Sequence, residues 1–211
     1  GTVIFGDGAG VTTAGTGTAG AADGADLIIS TQGNAAGQNV SIYGAGGNDT
    51  ISFSQGFAAA TSNQIVDGGD GADSILWGVP SFGGTVFGGA GNDTIDGESG
   101  FDSINGGAGN DSLVGGAGND SISGGADSDV IAGGDGTDVL AGDAGLDSID
   151  GGLGNDSING GDGIDTLLGG VGTDTIFGGL GDDSINGGDN ADRLIGEDGN
   201  DFILGGNSTA T

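Results

Sequence analysis

The chain has 211 residues, of which 56 are Gly and one is Pro, and its 31 acidic side chains face a single basic one, for a net charge of −30. Gly at this level excludes an ordinary globular enzyme, and the single Pro excludes collagen. With no His or Cys and so little positive charge, we expect no nucleic-acid partner, no zinc or copper site and no His-dependent nucleophile. We also expect no membrane insertion, since no run of 18 apolar residues occurs, and any targeting segment would lie outside this sequence. The partners that this charge favours are cations, and oxygen ligands suit calcium.

Residues 1–87 contain nine-residue lines with degraded sequences, and we predict that they form irregular, calcium-poor coils. Lines such as AAGQNVSIY (35–43) and VPSFGGTVF (79–87) keep an apolar eighth residue but lose the sixth-position Asp that other lines have. Three lines keep this residue, as Asp26, Asp49 and Asp73. Because these lines are isolated, we expect the three carboxylates to have poorer partners across the coil. The stretches 53–58 and 77–78 are predicted to be loops, and the aromatic residues of this region are expected to fill a wider core or, alternatively, to form a carbohydrate or partner surface.

Residues 88–204 divide into thirteen nine-residue lines without a gap. The eighth position of every line is Ile or Leu, and it is predicted to face inwards because strand side chains alternate between two faces. The first six residues, GGxGxD, are predicted to form the turn, where glycine permits positive φ and a close approach of carbonyl groups to an ion. The sixth position is always Asp, which gives Asp93, Asp102, Asp111, Asp120, Asp129, Asp138, Asp147, Asp156, Asp165, Asp174, Asp183, Asp192 and Asp201.

The pattern GGxGxDxUx, in which U is a large aliphatic residue, resembles the calcium-binding repeats of RTX proteins. The resemblance implies an all-β fold, a right-handed parallel β-roll (a β-solenoid) in which two lines make one 18-residue coil with two short strands and two Gly-rich turns. It also implies calcium ions between successive turns, bound by the sixth-position Asp residues and by carbonyl groups of both flanking turns. Asp127 and Asn190 stand where the pattern has its fourth Gly, so those turns are expected to bind calcium less well.

Stacked coils would place the Asp residues in two columns, with about 4.8 Å between neighbours. Two carboxylates about 5 Å apart repel each other by about 3 kcal/mol at an effective dielectric constant of about 20. Without cations, this repulsion destabilises the stacked coils. Two carboxylates and about four turn carbonyls would complete the oxygen shell of a calcium ion. We therefore expect multiple Ca²⁺ ions, and a chain that is expanded without them and folds as they bind.

The outward positions become apolar towards the C-terminus, where Leu168, Phe177, Ile195, Phe202 and Leu204 replace polar residues. Exposed apolar patches mark contacts, so we expect self-association or contact with other surface proteins, unless a C-terminal segment covers this patch. Arg193, the one basic residue of the chain, is expected to be a solvated charge or a local counter-ion. Residues 205–211 are predicted to be a C-terminal tail.

These features predict a non-enzymatic, extracellular structural module of a bacterial surface layer, adhesin or fibre. The resemblance to RTX proteins further implies export by a type I system and folding in the calcium outside the cell. The alternative is the C-terminal calcium-binding part of a secreted enzyme such as a protease, lipase or epimerase. An ice-binding role would need a regular row of identical polar side chains along one edge, and the fifth positions are too uneven for this.

Overall fold

The computed structural model describes residues 2–5, 24–30, 40–53, 64–77 and 84–206. Its strands form two parallel sheets of ten strands each, which we name sheet A and sheet B. Successive strands alternate between the sheets, so each strand pairs with the strand two further along the chain. This is the order of a β-solenoid, and the predicted all-β fold with two parallel sheets is confirmed. The described part of the chain contains no helix long and apolar enough to cross a membrane.

The odd-numbered strands form sheet A and the even-numbered strands form sheet B. Sheet A contains β1 (Thr2–Phe5), β3 (Val40–Gly46), β5 (Gln64–Asp70), β7 (Thr85–Ala90), β9 (Ser103–Ala108), β11 (Ser121–Ala126), β13 (Val139–Gly145), β15 (Ser157–Gly163), β17 (Thr175–Leu180) and β19 (Arg193–Asp198). Sheet B contains β2 (Leu27–Ser30), β4 (Thr50–Phe53), β6 (Ser74–Trp77), β8 (Thr94–Asp96), β10 (Ser112–Ala117), β12 (Val130–Asp135), β14 (Ser148–Leu153), β16 (Thr166–Val171), β18 (Ser184–Asp189) and β20 (Phe202–Leu204).

From β7 onwards the strands pair with a constant offset of two lines, which confirms the predicted 18-residue coil. Val86 pairs with Ile104, and Ile104 pairs with Ile122. The upstream offsets are larger, since Ile51 pairs with Ile75 and Ile75 pairs with Ile95. The change of offset falls near residue 88, but the division of the chain into residues 1–87, 88–204 and 205–211 remains a prediction.

From β3 onwards, the extra residues of the upstream coils all fall on one edge of the solenoid. We name edge I the edge at which the chain passes from sheet A to sheet B, and edge II the edge at which it returns to sheet A. Across edge I, equivalent buried residues are nine positions apart, as from Val66 to Ile75 and from Val86 to Ile95. Across edge II they are 15 positions apart from Ile51 to Val66 and 11 from Ile75 to Val86. From β3 onwards the half-coil through edge I therefore keeps its length while the other half varies. The earlier passage through edge I, from β1 to β2, is longer, since Ile4 and Ile28 are 24 positions apart.

Aliphatic side chains between the two sheets form the core. The eighth-position residues from Ile95 to Ile185 are at most 2% exposed, as predicted from strand alternation, and Ile28 belongs to the same cluster. At the C-terminal end Leu194 is half-buried and Ile203 is 43% exposed. The reason is that β19 and β20 are the last described strands of their sheets, so no further coil covers them.

The strands are longer and the turns shorter than the sequence suggests. In β9 the GGA that opens the next line belongs to the strand, and Gly107 pairs with Gly89 in β7. The turn is thereby reduced to residues 109–111. The chain begins to bend before the strand ends, because the second-position Gly107 has φ of 112°. The prediction that all six residues GGxGxD form the turn is therefore wrong.

The aromatic residues of the upstream region differ in their surroundings. Trp77 was predicted to lie in a loop, but it is the last residue of β6 and is 1% exposed within the core. Tyr43 is half-buried and Phe87 is 40% exposed, so these residues do not all fill the core. The predicted loop residues 54–58 and 78 lie outside the described residues, as do residues 207–211 of the predicted tail.

The apolar outward residues near the C-terminus are only partly exposed. Phe202 is 60% and Leu204 48% exposed, whereas Phe177 and Ile195, which pair in register, are half-buried. The guanidinium carbon of Arg193 lies 5.2 Å from the ring centre of Phe177, which is the geometry of a cation–π contact. Arg193 is thus held by a local contact on the outer face of sheet A.

Candidate metal sites

The sixth-position Asp residues form two columns, one along each edge. In each column, Oδ1 of an Asp accepts a hydrogen bond from the backbone N–H of the Asp one coil earlier, as in the 2.8 Å bond from Asp93 to Asp111. The edge I column contains Asp26, Asp49, Asp73, Asp93, Asp111, Asp129, Asp147, Asp165, Asp183 and Asp201. The edge II column contains Asp102, Asp120, Asp138, Asp156, Asp174 and Asp192.

The three upstream Asp residues stack directly onto the regular column and so have partners along it, while their poorer partners across the coil remain a prediction. The N–H of Asp26 donates to Asp49 over 2.7 Å, Asp49 donates to Asp73 over 2.7 Å, and Asp73 donates to Asp93 over 2.8 Å. They stay in step because each of them lies two residues before the inward residue of the sheet B strand that follows, and the extra residues lie outside this segment. The edge I column therefore runs unbroken through the irregular region.

Most of the column carboxylates are buried, and one oxygen of most of them has no hydrogen-bond donor. Column residues from Asp26 to Asp183 are at most 4% exposed. Among the described residues, Oδ2 has no hydrogen-bond donor in Asp49, Asp73, Asp93, Asp102, Asp111, Asp120, Asp129, Asp138, Asp147, Asp156, Asp165, Asp174, Asp183 and Asp192. A buried carboxylate oxygen without a donor costs several kcal/mol unless a positive charge compensates it, so the columns favour cations.

Each Oδ2 faces a small space lined by oxygen atoms. A methyl group placed on Gly88, the first residue of its line, would lie less than 3.0 Å from Asp93 Oδ2 and from the carbonyl oxygen of Gly106 in the next coil. The same two kinds of oxygen flank the first-position glycines of edge II, from Gly97 to Gly169. Carboxylate and backbone carbonyl oxygens are ligands that calcium accepts. The residues present therefore fit calcium ions held between coils.

The described residues contain no group of three or more acidic side chains that could hold an ion by themselves. This follows from the geometry of the coil, because each coil brings at most one column carboxylate to each edge. An ion between two coils can contact at most two of these carboxylates. The rest of its shell has to come from backbone carbonyls and water.

Burial raises the pKa of the column carboxylates from Asp49 to Asp183. It raises the pKa of Asp102 and Asp129 to about 7, and that of Asp93, Asp156 and Asp165 to about 6. The main cause is the loss of water around the charged form, and the charge of neighbouring Asp residues adds to it. The hydrogen bond from the N–H of the earlier coil acts in the opposite direction and lowers the pKa. Without cations, the columns thus hold protons more tightly than a solvated Asp does.

A second ladder, which the sequence analysis missed, joins the fifth positions of successive coils. Oδ1 of Asn92 accepts the N–H of Asn110 over 3.1 Å, and Oδ1 of Asn110 accepts the N–H of Ser128 over 2.9 Å. On edge II the N–H of Thr137 donates to Asn119 in the same way. The acceptor belongs to the earlier coil here, whereas in the Asp columns it belongs to the later one. The recurrent Asn before the sixth-position Asp is the sequence signal of this ladder.

The two lines without a fourth-position glycine also have positive φ at this position. Asp127 has φ of 74° and Asn190 has φ of 83°, which are smaller than the 123° of Gly109 and the 140° of Gly118. The charge of Asp127 also contributes to the raised pKa of Asp129. Weaker calcium binding at these turns remains a prediction.

Comparison with known proteins agrees with this geometry. A family model for the RTX calcium-binding nonapeptide repeat (4 copies) matches residues 35–57, 87–122, 105–140, 132–167 and 168–203. The matches include most of the regular coils and the upstream line that contains Asp49. No curated protein matches the sequence.

Proposed function

Because the chain belongs to the RTX calcium-binding nonapeptide repeat family, we propose that it is a structural module in which calcium ions between the coils hold the solenoid together. The observation that carries this proposal is the buried Asp Oδ2 that faces a carbonyl oxygen of the next coil and lacks a donor. An ion in this position compensates the carboxylate charge and links one coil to the next. We propose no catalytic role for these residues.

We assign one ion to each gap between neighbouring Asp residues of a column. The ten carboxylates of edge I leave nine gaps and the six of edge II leave five, so the assignment is fourteen ions. In the gap between Asp93 and Asp111, for example, Asp93 Oδ2 and the carbonyl oxygen of Gly106 are the proposed ligands. Asp26, Asp49 and Asp73 take part in the same way as the later members of their column.

The small number of carboxylates per ion supports an extracellular location. Calcium affinity falls with the charge of the ligand set, and extracellular modules bind with dissociation constants of about 10⁻⁴ to 10⁻³ M. Sites of this strength fill outside a cell and not at the low free calcium of a cytosol. We therefore propose that the chain is secreted and folds outside the cell or at its surface, with the type I export that the family resemblance implies.

We further propose that the folded module packs against other copies or other surface proteins, in a bacterial surface layer, adhesin or fibre. Rows of exposed apolar residues support this part of the proposal. Leu153 and Val171 pair in register on sheet B and are 52% and 46% exposed. Leu146 and Ile164 occupy successive fifth positions on edge I and are 61% and 58% exposed. Apolar residues in contiguous rows mark surfaces that a partner covers.

The test of calcium-dependent folding is a calcium titration of the ion-free chain, followed by far-UV circular dichroism. The strand signal should appear with a midpoint of about 10⁻⁴ to 10⁻³ M calcium. Magnesium should be far less effective, because it demands a smaller octahedral shell. A strand spectrum that persists in excess chelator at neutral pH would contradict the proposal.

A matched pair of variants extends this test to the columns. Asp129→Asn keeps the shape and the Oδ1 acceptor but removes the charge of a buried column residue, so it should raise the calcium midpoint. Asp135→Asn removes the same charge from an exposed third position and should leave the midpoint nearly unchanged. Equal midpoints in the two variants would count against the assigned sites.

Sedimentation velocity in millimolar calcium tests the proposed assembly. A chain that stays monomeric at all protein concentrations would exclude self-association.

A further inference from the structure

The edge II column begins at Asp102, and the coil before it has no carboxylate at the equivalent place. That coil has Gly84 at its sixth position. The N–H of Gly84 donates to Asp102 Oδ1 over 3.0 Å, as the N–H of an Asp does in the regular coils. The backbone is therefore that of a regular turn, but no Oδ2 enters the gap between Gly84 and Asp102.

Trp77 stands at the place that a first-position glycine takes in the regular coils. Strands such as β9 alternate exposed, buried, exposed, buried from the seventh to the first position, and the last of these is glycine. β6 shows the same alternation and ends on Trp77. Leu76 pairs with Asp96, so Trp77 is in step with Gly97 of the next coil. The position that elsewhere leaves an oxygen-lined space open here carries the largest of all side chains.

The indole of Trp77 lies where the missing carboxylate would begin. A methyl group placed on Gly84 would lie 2.5 Å from Cζ2 and 3.0 Å from Nε1 of Trp77. Trp77 is 1% exposed and Asp102 is 2% exposed, so ring and carboxylate are both enclosed. On the other side of Asp102, its Oδ2 lies with the carbonyl oxygen of Gly115 around the Cβ position of Gly97.

We propose that Trp77 ends the row of metal sites along edge II. No ion binds in the gap between Gly84 and Asp102, because the indole occupies it, and the first ion of this column binds between Asp102 and Asp120. The inference rests on the proposed function, since it requires ions in the gaps. Trp77 is the only Trp of the chain. It therefore stands next to the first metal site of one column and reports the filling of that site.

The test uses Tb³⁺, which takes the oxygen sites of calcium and luminesces when an excited Trp lies close to it. The full chain is loaded with Tb³⁺ and excited at wavelengths that Trp absorbs and Tyr does not. We expect sensitised emission that disappears in Trp77→Phe. Emission should fall strongly in both Asp102→Asn and Gly97→Ala, whose added methyl group would lie less than 3.0 Å from Asp102 Oδ2 and the carbonyl oxygen of Gly115. It should stay at the wild-type level in Asp174→Asn, which changes the same column four coils further from the indole.

Gly97→Ala is the deciding variant, because it fills only the space on the Asp120 side of Asp102. If Asp102→Asn loses the emission and Gly97→Ala keeps it, an ion lies on the indole side of Asp102 and Trp77 does not end the row of sites. Absence of sensitised emission in the wild type would also overturn the inference. Circular dichroism of the calcium-loaded chain identifies any variant that does not fold, and the other substitution then decides. If the wild type folds with calcium but shows no Trp-sensitised Tb³⁺ emission, only this inference fails. If calcium does not fold the chain, the proposed function fails as well.

Discussion

Two residues of each line carry the proposed chemistry, the sixth-position Asp and the first-position Gly. The sequence predicts the Asp, because its nine-residue recurrence has no other explanation than a repeated ligand. The role of the first glycine is different from the one expected. Gly106 does not have positive φ, and what requires glycine there is the space beside Asp111 Oδ2 and the carbonyl of Gly124. That space exists only once the next coil is in place, so a single line of sequence does not reveal it.

Gly106→Ala should therefore weaken one metal site without straining the backbone. The added methyl group would meet two oxygen atoms that the ion needs, and overpacking of this kind costs about 1–3 kcal/mol. The thermal midpoint in saturating calcium should fall by about 2–4 °C for each kcal/mol. Gly205→Ala is the control, because a methyl group there would have no atom within 4 Å. Equal midpoints for the two variants would show that the space is not used.

The raised pKa values of the column carboxylates predict an unusual dependence on pH. In the ion-free solenoid the pKa of Asp102 and Asp129 is about 7, whereas it is 3.8 for an ordinary Asp. The ion-free fold thus binds protons more tightly than the unfolded chain. This contribution to stability is complete below about pH 4 and is lost as the pH rises through about 7.

The chelated chain should therefore show more strand signal at about pH 5 than at about pH 8. Calcium competes with the same protons, so its midpoint should move to higher concentration as the pH falls over this range. Circular dichroism at the two pH values measures both effects. A calcium midpoint that is independent of pH would mean that the column carboxylates are not its ligands.

At the scale of strands and turns, the nine-residue period predicts the coil and its inward column, but not the exact division between strand and turn. The glycines of GGxGxD indicate a turn, whereas in the structure the first of them still pair in the sheet. The period also fails to align Asp49 and Asp73 with the regular column, because the coils from Asp49 to Asp73 and from Asp73 to Asp93 have 24 and 20 residues and not 18. The inserted residues lie on edge II and leave edge I unchanged, which only the strand register reveals.

The fifth-position ladder gives the turns a stability that does not depend on metal charge. Asn110→Ala removes the acceptor of the Ser128 N–H and should lower the stability of the calcium-loaded fold by about 1 kcal/mol. Asn159→Ala is the matched control, since Asn159 is exposed at a ninth position and its side chain makes no hydrogen bond within the described residues. Thermal unfolding in saturating calcium compares the two variants. A loss of similar size in both would assign the effect to the change of side chain and not to the ladder.

For the whole molecule, the two columns explain how a chain with a net charge of −30 can be compact. Much of the negative charge lies in two buried rows, where neighbouring carboxylates repel each other unless ions stand between them. Fourteen divalent ions would bring 28 positive charges and leave a net charge near −2. The composition predicts the need for cations, but their number follows only from the stacking of the upstream carboxylates.

This charge balance predicts the electrophoretic behaviour of the whole chain. At neutral pH the ion-free chain should migrate rapidly towards the anode, and saturation with calcium should remove nearly all of this mobility. Free-solution electrophoresis across a calcium titration measures the change, with magnesium as the control ion. A loaded chain that keeps half of its mobility after correction for its smaller size would mean that far fewer sites are filled.

The constant half-coil through edge I has a consequence for how this solenoid tolerates change in length. From β3 onwards the half-coil through edge I is nine residues long, whereas edge II has taken up two to six additional residues in three successive coils while the carboxylates opposite stay aligned. A foreign peptide grafted at an edge II turn should leave the opposite row of ligands in register, and the same peptide grafted at edge I should break it. The solenoid is thus asymmetric as a scaffold, with one edge that fixes the spacing and one that can display new sequence.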